Sequence, residues 1–500
     1  MSASHPPISM RVKMEHSPKY FLRARNICAY ITVKRLEEKW RKKTRHDMKR
    51  QFYPDPVQHL DIHVNIDTVT SQIRSSIRNG TYTVRSPSRY YVEKSKGLCR
   101  LMVQPRAEDA IVLQCLSDKL YSQIKNQAPS KNAFFEPKDH SFNQNQEPEY
   151  GTFKSWKDFQ SEILKFTKEN SFVVISDISN YYDFIDFTQL RNVVTSLVRL
   201  NETLFDFLIH ILTALAWQPD FMPPRQIGLP QMDFDGPRLL AHSYLFELDR
   251  FMENRSQKNY ARFMDDIDAG VDTIKDAKHL LRDTDLVLQS RSLRLNAGKT
   301  KILTAKEALR HFRVRENNFL DRFEASIKSA DEKGLPVIKI LTKFEKIFRT
   351  AYNNGYFIEG NGEKIIKRCV NICTRHGILI DSNLYASLIR LHPNIRESAL
   401  RNRSRCGFNS EDINLISNIY KTGIVCDDAF TMNVARAIVD GKIDIASEEA
   451  DVFRELLKSM TGSPGSLHYA KLWILSRIGK YSTILLYINK GPIYVCDPAN

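Results

Sequence analysis

Apolar positions along this chain follow two periods, and the places where the period switches mark its elements. Residues 90–103 (YYVEKSKGLCRLMV) alternate with the period of two expected of a strand pair that turns at Lys96-Gly97. Ile111, Leu113, Leu116 and Leu120 then fall on helical spacing. Residues 138–155 are polar and punctuated by Pro and Gly, which predicts a loop. A short apolar strand, SFVVIS at 171–176, stops directly at Asp177. Residues 186–216 predict helix, 228–237 a turn-rich loop, and from Arg238 a helix carries Leu240, Tyr244, Leu248 and Phe251 on one face. Residues 262–271 predict two short strands around a carboxylate-bearing turn.

From about residue 315 the pattern becomes a succession of helical stripes. They comprise Phe319, Phe323 and Ile327; Ile340, Leu341, Phe344, Ile347 and Phe348; Leu384, Leu388 and Leu391; and Val452, Phe453, Leu456, Leu457 and Met460. No repeat of fixed length connects them, so the spacing predicts an irregular array of helices rather than a regular solenoid.

Composition narrows the classes. At 500 residues the chain is long enough for roughly two to four domains with true cores. Hydrophobic residues at 42% exclude a disordered tail protein, and 19 Gly with 20 Pro exclude collagen-like and low-complexity architectures. A net charge of +16 implies a polyanionic partner, nucleic acid first among them. That charge concentrates between Lys34 and Arg50, where nine of seventeen residues are Lys or Arg, with Trp40, Phe52 and Tyr53 interleaved or adjacent. Phosphate contact is the functional expectation for this patch; a solvated helix face is the plain one. No apolar run reaches the ~18–20 residues of a membrane span, and the N-terminus has no signal-peptide core. The eight cysteines form no CxxC pair. Cys369, Cys373 and His376 lack convincing zinc spacing and read as ordinary thiols beside a histidine, so a reduced cytoplasmic protein is expected.

Two acidic clusters carry the candidate chemistry. Asp177 ends one strand, in VVISDISNYYDFID, and Asp265-Asp266 tip the hairpin RFMDDIDAG, 88 residues further on. Successive carboxylates at a hairpin tip repel one another unless a cation lies between them. A third carboxylate from another strand calls for a hard divalent ion with oxygen ligands, such as Mg²⁺ with substrate phosphates.

Four segments in order resemble the palm of a reverse transcriptase: DISNYYDFI (177–185), GLPQ (228–231), RFMDD (262–266) and LRLNAGKT (293–300). The finer pattern is similar to prokaryotic defence-associated reverse transcriptases of the abortive-infection group. The segments that carry it are YYVEKSKGLCRLMVQPRAEDAIVLQCLSDKL as fingers and GPRLLAHSYLFELDRFM after GLPQ, followed by a helical half. The resemblance implies an α+β right-hand polymerase, fingers and palm, over residues 1–315. An all-α, helical-repeat-like domain over 316–500 would follow.

The resemblance further implies two Mg²⁺ ions, replaceable by Mn²⁺. Their ligands would be Asp177, Asp265 and the carbonyl of Ile178, with Asp266 in support. Tyr182 would be the ring that excludes a ribose 2′-hydroxyl, while Gln231, Lys299, Arg100 and Lys96 would contact the nucleotide. The expected partners are dNTPs, a DNA product and RNA, with no membrane and with a homo-oligomeric state. Template-independent, protein-primed synthesis remains open. So do RNA-templated synthesis of retron or diversity-generating type and an inactive nucleic-acid-binding scaffold. Two positions depart from the family pattern: Met232 stands where glycine usually follows Pro-Gln, and Phe263 stands where Tyr is commoner.

Overall fold

The computed structural model describes residues 18–55, 58–135, 151–219, 221–222, 226–441 and 450–478. Most of the 138–155 loop and Cys496 lie outside them. Helices α1–α5 (Pro18–Tyr30, Val33–Lys39, Arg45–Lys49, Leu60–Val64, Ile66–Asn79) form the N-terminal segment. Strands β1 (Ser88–Ser95) and β2 (Leu98–Gln104) form an antiparallel hairpin, as the alternation predicts. Helices α6 (Ala107–Ile124) and α7 (Phe153–Glu169) lead into β3 (Phe172–Asp177). After it come α8 (Phe187–Leu197), α9 (Glu202–Leu215), α10 (Asp235–Tyr244), α11 (Phe246–Arg255), β4 (Tyr260–Phe263), β5 (Asp266–Val271), α12 (Ile274–Gln289) and β6 (Lys301–Thr304).

Strands β3 to β6 build one antiparallel sheet of order β4-β5-β3-β6. β3 is central, and its apolar run reflects burial on both faces: Val173 and Val174 point to opposite sides and both are buried. Each such valine contributes roughly 1.5–3 kcal/mol by burial. Because side chains alternate, Val173, Ile175 and Asp177 share one face with their register partners Gly270, Asp268 and Asp266. Phe159, Ile163 and Phe166 of α7 pack on that face. Gly270 is a close-approach glycine, since a Cβ there would meet the Asn170 side chain and come within 3.1 Å of Phe166. The opposite face, with Val174, Ile267 and Ala269, joins the large core around α6 and α8–α12.

The remaining helices are α13 (Ala305–His311), α14 (Val314–Glu332), α15 (Ile338–Asn353), α16 (Gly362–Arg375), α17 (Ser382–Leu391), α18 (Arg396–Cys406), α19 (Ser410–Lys421), α20 (Asp428–Asp440), α21 (Ala450–Ser459) and α22 (Pro464–Ile478). From Val314 onward the described elements are all helices. Their core also takes in Tyr53 and Tyr90, so the β1–β2 hairpin is built into it. Asp428 and Asp427, at the start of α20, accept the backbone N–H groups of Tyr91 (2.8 Å) and Glu93 (3.3 Å). Buried Arg396 bonds Glu93 at 2.7 Å and Asp427 at 3.3 Å, fixing the hairpin to the helical half.

Several expectations change. The helix expected over 186–216 is two, because Asn201 caps a new helix by accepting from the Leu204 N–H at 3.1 Å. The 138–155 loop reading ends early, since α7 begins at Phe153 behind its cap Thr152. Ile340 and Ile347 of the α15 stripe, and Leu391 of α17, face outward. The basic N-terminal patch is not a continuous free face. Lys39 pairs with Asp118 and Lys42 with Glu38, both at 2.6 Å, Lys43 pairs with Asp235, and Trp40 is fully buried. Tyr53 is likewise buried, so Trp40 and Tyr53 pack the core instead of offering stacking surfaces. Cys369 and Cys373 are buried free thiols on the core face of α16.

Candidate active site

Four separate segments converge where β3 ends. Asp177 is its last residue and is buried. The next residues reverse the chain: Asn180 adopts φ +45°, which asparagine tolerates, and its carbonyl accepts from Asp183 at 3.0 Å. Across the sheet Asp177 pairs in register with Asp266, and Phe263 with Asp266 closes the β4–β5 hairpin. Met264 and Asp265 form its two-residue turn, with Met264 buried and at φ +58°. Arg262 holds this turn from below. It is fully buried, clasps Asp249 of α11 at 2.7 and 2.6 Å, and donates to the Met264 carbonyl at 2.9 Å.

The segment 293–300 runs beside the end of β3. The Asn296 N–H donates to the Asp177 carbonyl at 2.7 Å, and the Ser179 N–H to the Arg294 carbonyl at 2.9 Å. This register brings the Lys299 ammonium to 2.5 Å from Asp177 Oδ2. The Ile178 N–H donates to the Asp265 carbonyl at 3.3 Å, which locks the turn against the strand.

The electrostatics are those of crowded acids. Burial, then the charges of Asp266 and Asp177, push the Asp265 carboxyl up to about 7, and Asp265 and Asp177 lie within hydrogen-bond reach. Asp266 reaches the open cleft and is also raised, by desolvation first, while Lys364 and Lys299 pull it down. Lys299 stands against Asp177 as a cation would. Hard oxygen donors crowded in this way fit a divalent ion. Among the described residues, however, no three His, Cys, Asp or Glu side chains already converge as a closed metal cage. Asp177, Asp265 and Asp266 are therefore candidates for an open site.

The other expected residues fall into two groups. Tyr182 is half-buried at the start of a 3₁₀ turn, Tyr182–Phe184. Burial raises its hydroxyl first, with Arg238, Asp265 and Arg100 also acting on it. Its carbonyl accepts from Leu229 at 2.9 Å, while Gly228 turns at φ +90°, a conformation that favours glycine. Gln231 donates to Asp183 at 3.1 Å and accepts at its carbonyl from Val103 at 2.9 Å, tying the GLPQ loop to β2. Met232 is a core residue here, and Phe263 packs edge-on against Phe135 with ring centroids 5.5 Å apart.

Of the two hairpin cations named from sequence, Arg100 acts on Tyr182, whereas Lys96 is an exposed turn residue at φ +53°. Lys94, not singled out by its sequence context, is near enough to the site to feel its charges. Its ammonium is lowered by burial first and then by Arg100 and Lys299, and it feels Asp265 and Asp177. Sequence reasoning also missed Asp268, Lys364 and the Arg262–Asp249 clasp. Only the i, i+2 spacing of Asp266 and Asp268 on a strand could have signalled the first. Among the described residues no helix is long and apolar enough to cross a membrane. Compared with known protein families and with curated proteins, the chain matches none.

Proposed function

We propose that this protein is a nucleotidyltransferase of reverse-transcriptase type that polymerises dNTPs at Asp177, Asp265 and Asp266. The observation that carries the reading is the meeting of Asp177 and Asp265 at the end of one strand and the tip of the neighbouring hairpin, with the Lys299 ammonium at 2.5 Å from Asp177. Asp177, Asp265 and the Ile178 carbonyl would hold two Mg²⁺ ions, with Asp266 in support. Bound there, the ions supply Lewis acidity to the attacking hydroxyl and to the leaving phosphates.

The reaction joins a hydroxyl oxygen to the α-phosphorus and breaks the α–β bridging bond; pyrophosphate leaves and the hydroxyl proton passes to water. Arg100 and Lys94 would bind the triphosphate, and Lys299 would neutralise the pyrophosphate as it departs. The Tyr182 ring would be the group that meets a 2′-hydroxyl. Met232 fills the core where the related loop usually carries glycine, which fits a path for nucleic acid unlike that of a standard duplex. A role in anti-phage defence and a hydroxyl of the protein itself as primer rest on the resemblance alone. The test is incubation of the purified protein with labelled dNTPs and Mg²⁺, followed by denaturing electrophoresis before and after protease. Labelled DNA that enters the gel freely only after proteolysis supports protein priming. DNA that is free throughout and complements a bound RNA replaces that part of the reading with templated synthesis.

A further inference from the structure

Beside the carboxylates, between the sheet, α7 and the start of α16, lies a cavity of about 260 Å³. The proposed chemistry uses Asp177, Asp266 and Lys299 on its edge and leaves the rest of its lining without a role. Its remaining walls are chemically mixed. Asp268 is 3% exposed, lines the cavity, and its Oδ1 finds no hydrogen-bond partner among the described residues. A carboxylate oxygen so placed is costly unless a donor reaches it. Trp156 supplies an aromatic wall, and the Lys364 ammonium lies 5.7 Å from its ring centroid. Lys301 and Lys364 add positive charge from β6 and α16.

The N-terminus of the 14-residue helix α16 opens at the same place. Its N-cap Asn361 and third residue Lys364 both line the cavity, and the Asn361 side chain does not cap the helix. A helix start with a lysine in its first turn attracts phosphate; the acidic residue of that turn, Glu363, is engaged by His392 at 2.7 Å. Tight packing holds that start in position. Gly360 sits at φ +60°, where a Cβ would collide with the His311 backbone, and the Asn361 N–H donates to the His311 carbonyl at 2.8 Å.

We propose that this cavity is a nucleotide subsite shared by the sheet and the helical half. The N-terminus of α16 and Lys364 hold a phosphate, Trp156 packs against the base, and Asp268 accepts a base N–H. A free phosphate would bring Asp268 no donor, and an apolar ligand would bring no anion to Lys301 and Lys364; a nucleoside monophosphate serves both ends. Naming a nucleotide rests on the polymerase reading of the adjoining carboxylates, but binding here requires no catalysis.

The test uses the full chain in EDTA, with deoxyadenosine monophosphate as probe. Equilibrium dialysis measures binding, and tryptophan fluorescence reports contact with Trp156. Saturable binding is expected, with quenching that disappears in Trp156→Phe. Lys364→Ala should weaken binding about tenfold or more, and Lys364→Arg should retain most of it. Lys364 is exposed, so these variants are expected to fold. Deoxyribose 5-phosphate, which lacks the base, should bind more weakly to wild type, and Asp268→Ala should narrow that difference to what packing on Trp156 supplies. No saturable binding, equal binding by Lys364→Ala, or equal affinity for probe and sugar phosphate would each overturn the proposal. Binding with this pattern in a protein that incorporates no dNTP would uphold the subsite and sink the polymerase reading instead.

Discussion

Replacing Asp265 with Asn should stabilise the metal-free protein at neutral pH while removing its activity. Asp265 and Asp266 at the tip of the β4–β5 hairpin lie near Asp177 at the end of β3, and Asp265 is pushed from an ordinary 3.8 up to about 7, by burial first and then by Asp266 and Asp177. An acid whose pKa is higher in the folded state binds more protons folded than unfolded. Stability therefore falls as pH rises from about 4 to about 7, and the full penalty persists above that window. A shift of this size corresponds at most to about 4 kcal/mol, at ~1.4 kcal/mol per unit. Solvent at the partly exposed turn screens the charges, so a gain of about 1–2 kcal/mol is the working expectation for Asp265→Asn at pH 8. Little gain should remain at pH 4, where the acid is already neutral. Thermal and urea unfolding in EDTA at both pH values measure this directly. Millimolar Mg²⁺ should then stabilise wild type far more than the variant. A variant less stable than wild type at pH 8, or equally stabilised at both pH values, would refute the crowding argument.

Three further outcomes follow from the geometry. Tyr182→Ala should raise the use of NTPs relative to dNTPs, read as the ratio of kcat/KM values; an unchanged ratio removes Tyr182 from sugar selection. Arg396→Met breaks a buried contact with Glu93 and Asp427 and should cost about 3–5 kcal/mol in urea unfolding. If its folded fraction still incorporates dNTPs, KM should rise more than kcat falls, because the hairpin carrying Lys94 and Arg100 loses its anchor. Arg262→Met should cost a similar amount by leaving Asp249 buried and unpaired, whereas the double change Arg262→Met with Asp249→Leu should recover most of it; no recovery would show that the clasp is not a simple charge pair.

Much of the local structure was legible because it is local. The apolar run into Asp177, the alternation around Lys96-Gly97 and the paired acids of RFMDDIDAG each specify a strand end or a turn within ten residues. Asn201 could have been read as a cap, yet the apolar residues on both sides of it outweighed one polar position. The site's outer parts were not legible, because they depend on contacts between distant segments. Lys364 acts on Asp266 only because α16 starts beside the sheet, and Lys94 feels Asp265 and Asp177 whereas Lys96 sits in the exposed turn. Arg262 reads as one more basic residue next to a motif until Asp249 of α11 is seen to bury it. The basic stretch from Lys34 to Arg50 misled in the other direction, since charge density alone does not reveal which lysines have carboxylate partners across α6 and α10.

The most direct measurement of the central claim is incorporation of labelled dNTPs by the purified protein with Mg²⁺, compared with Asp177→Ala and Asp265→Ala in parallel. The account predicts labelled polymer from wild type, none from either variant, and unchanged folding of both by circular dichroism. Polymerisation by the two variants at the wild-type rate would contradict it.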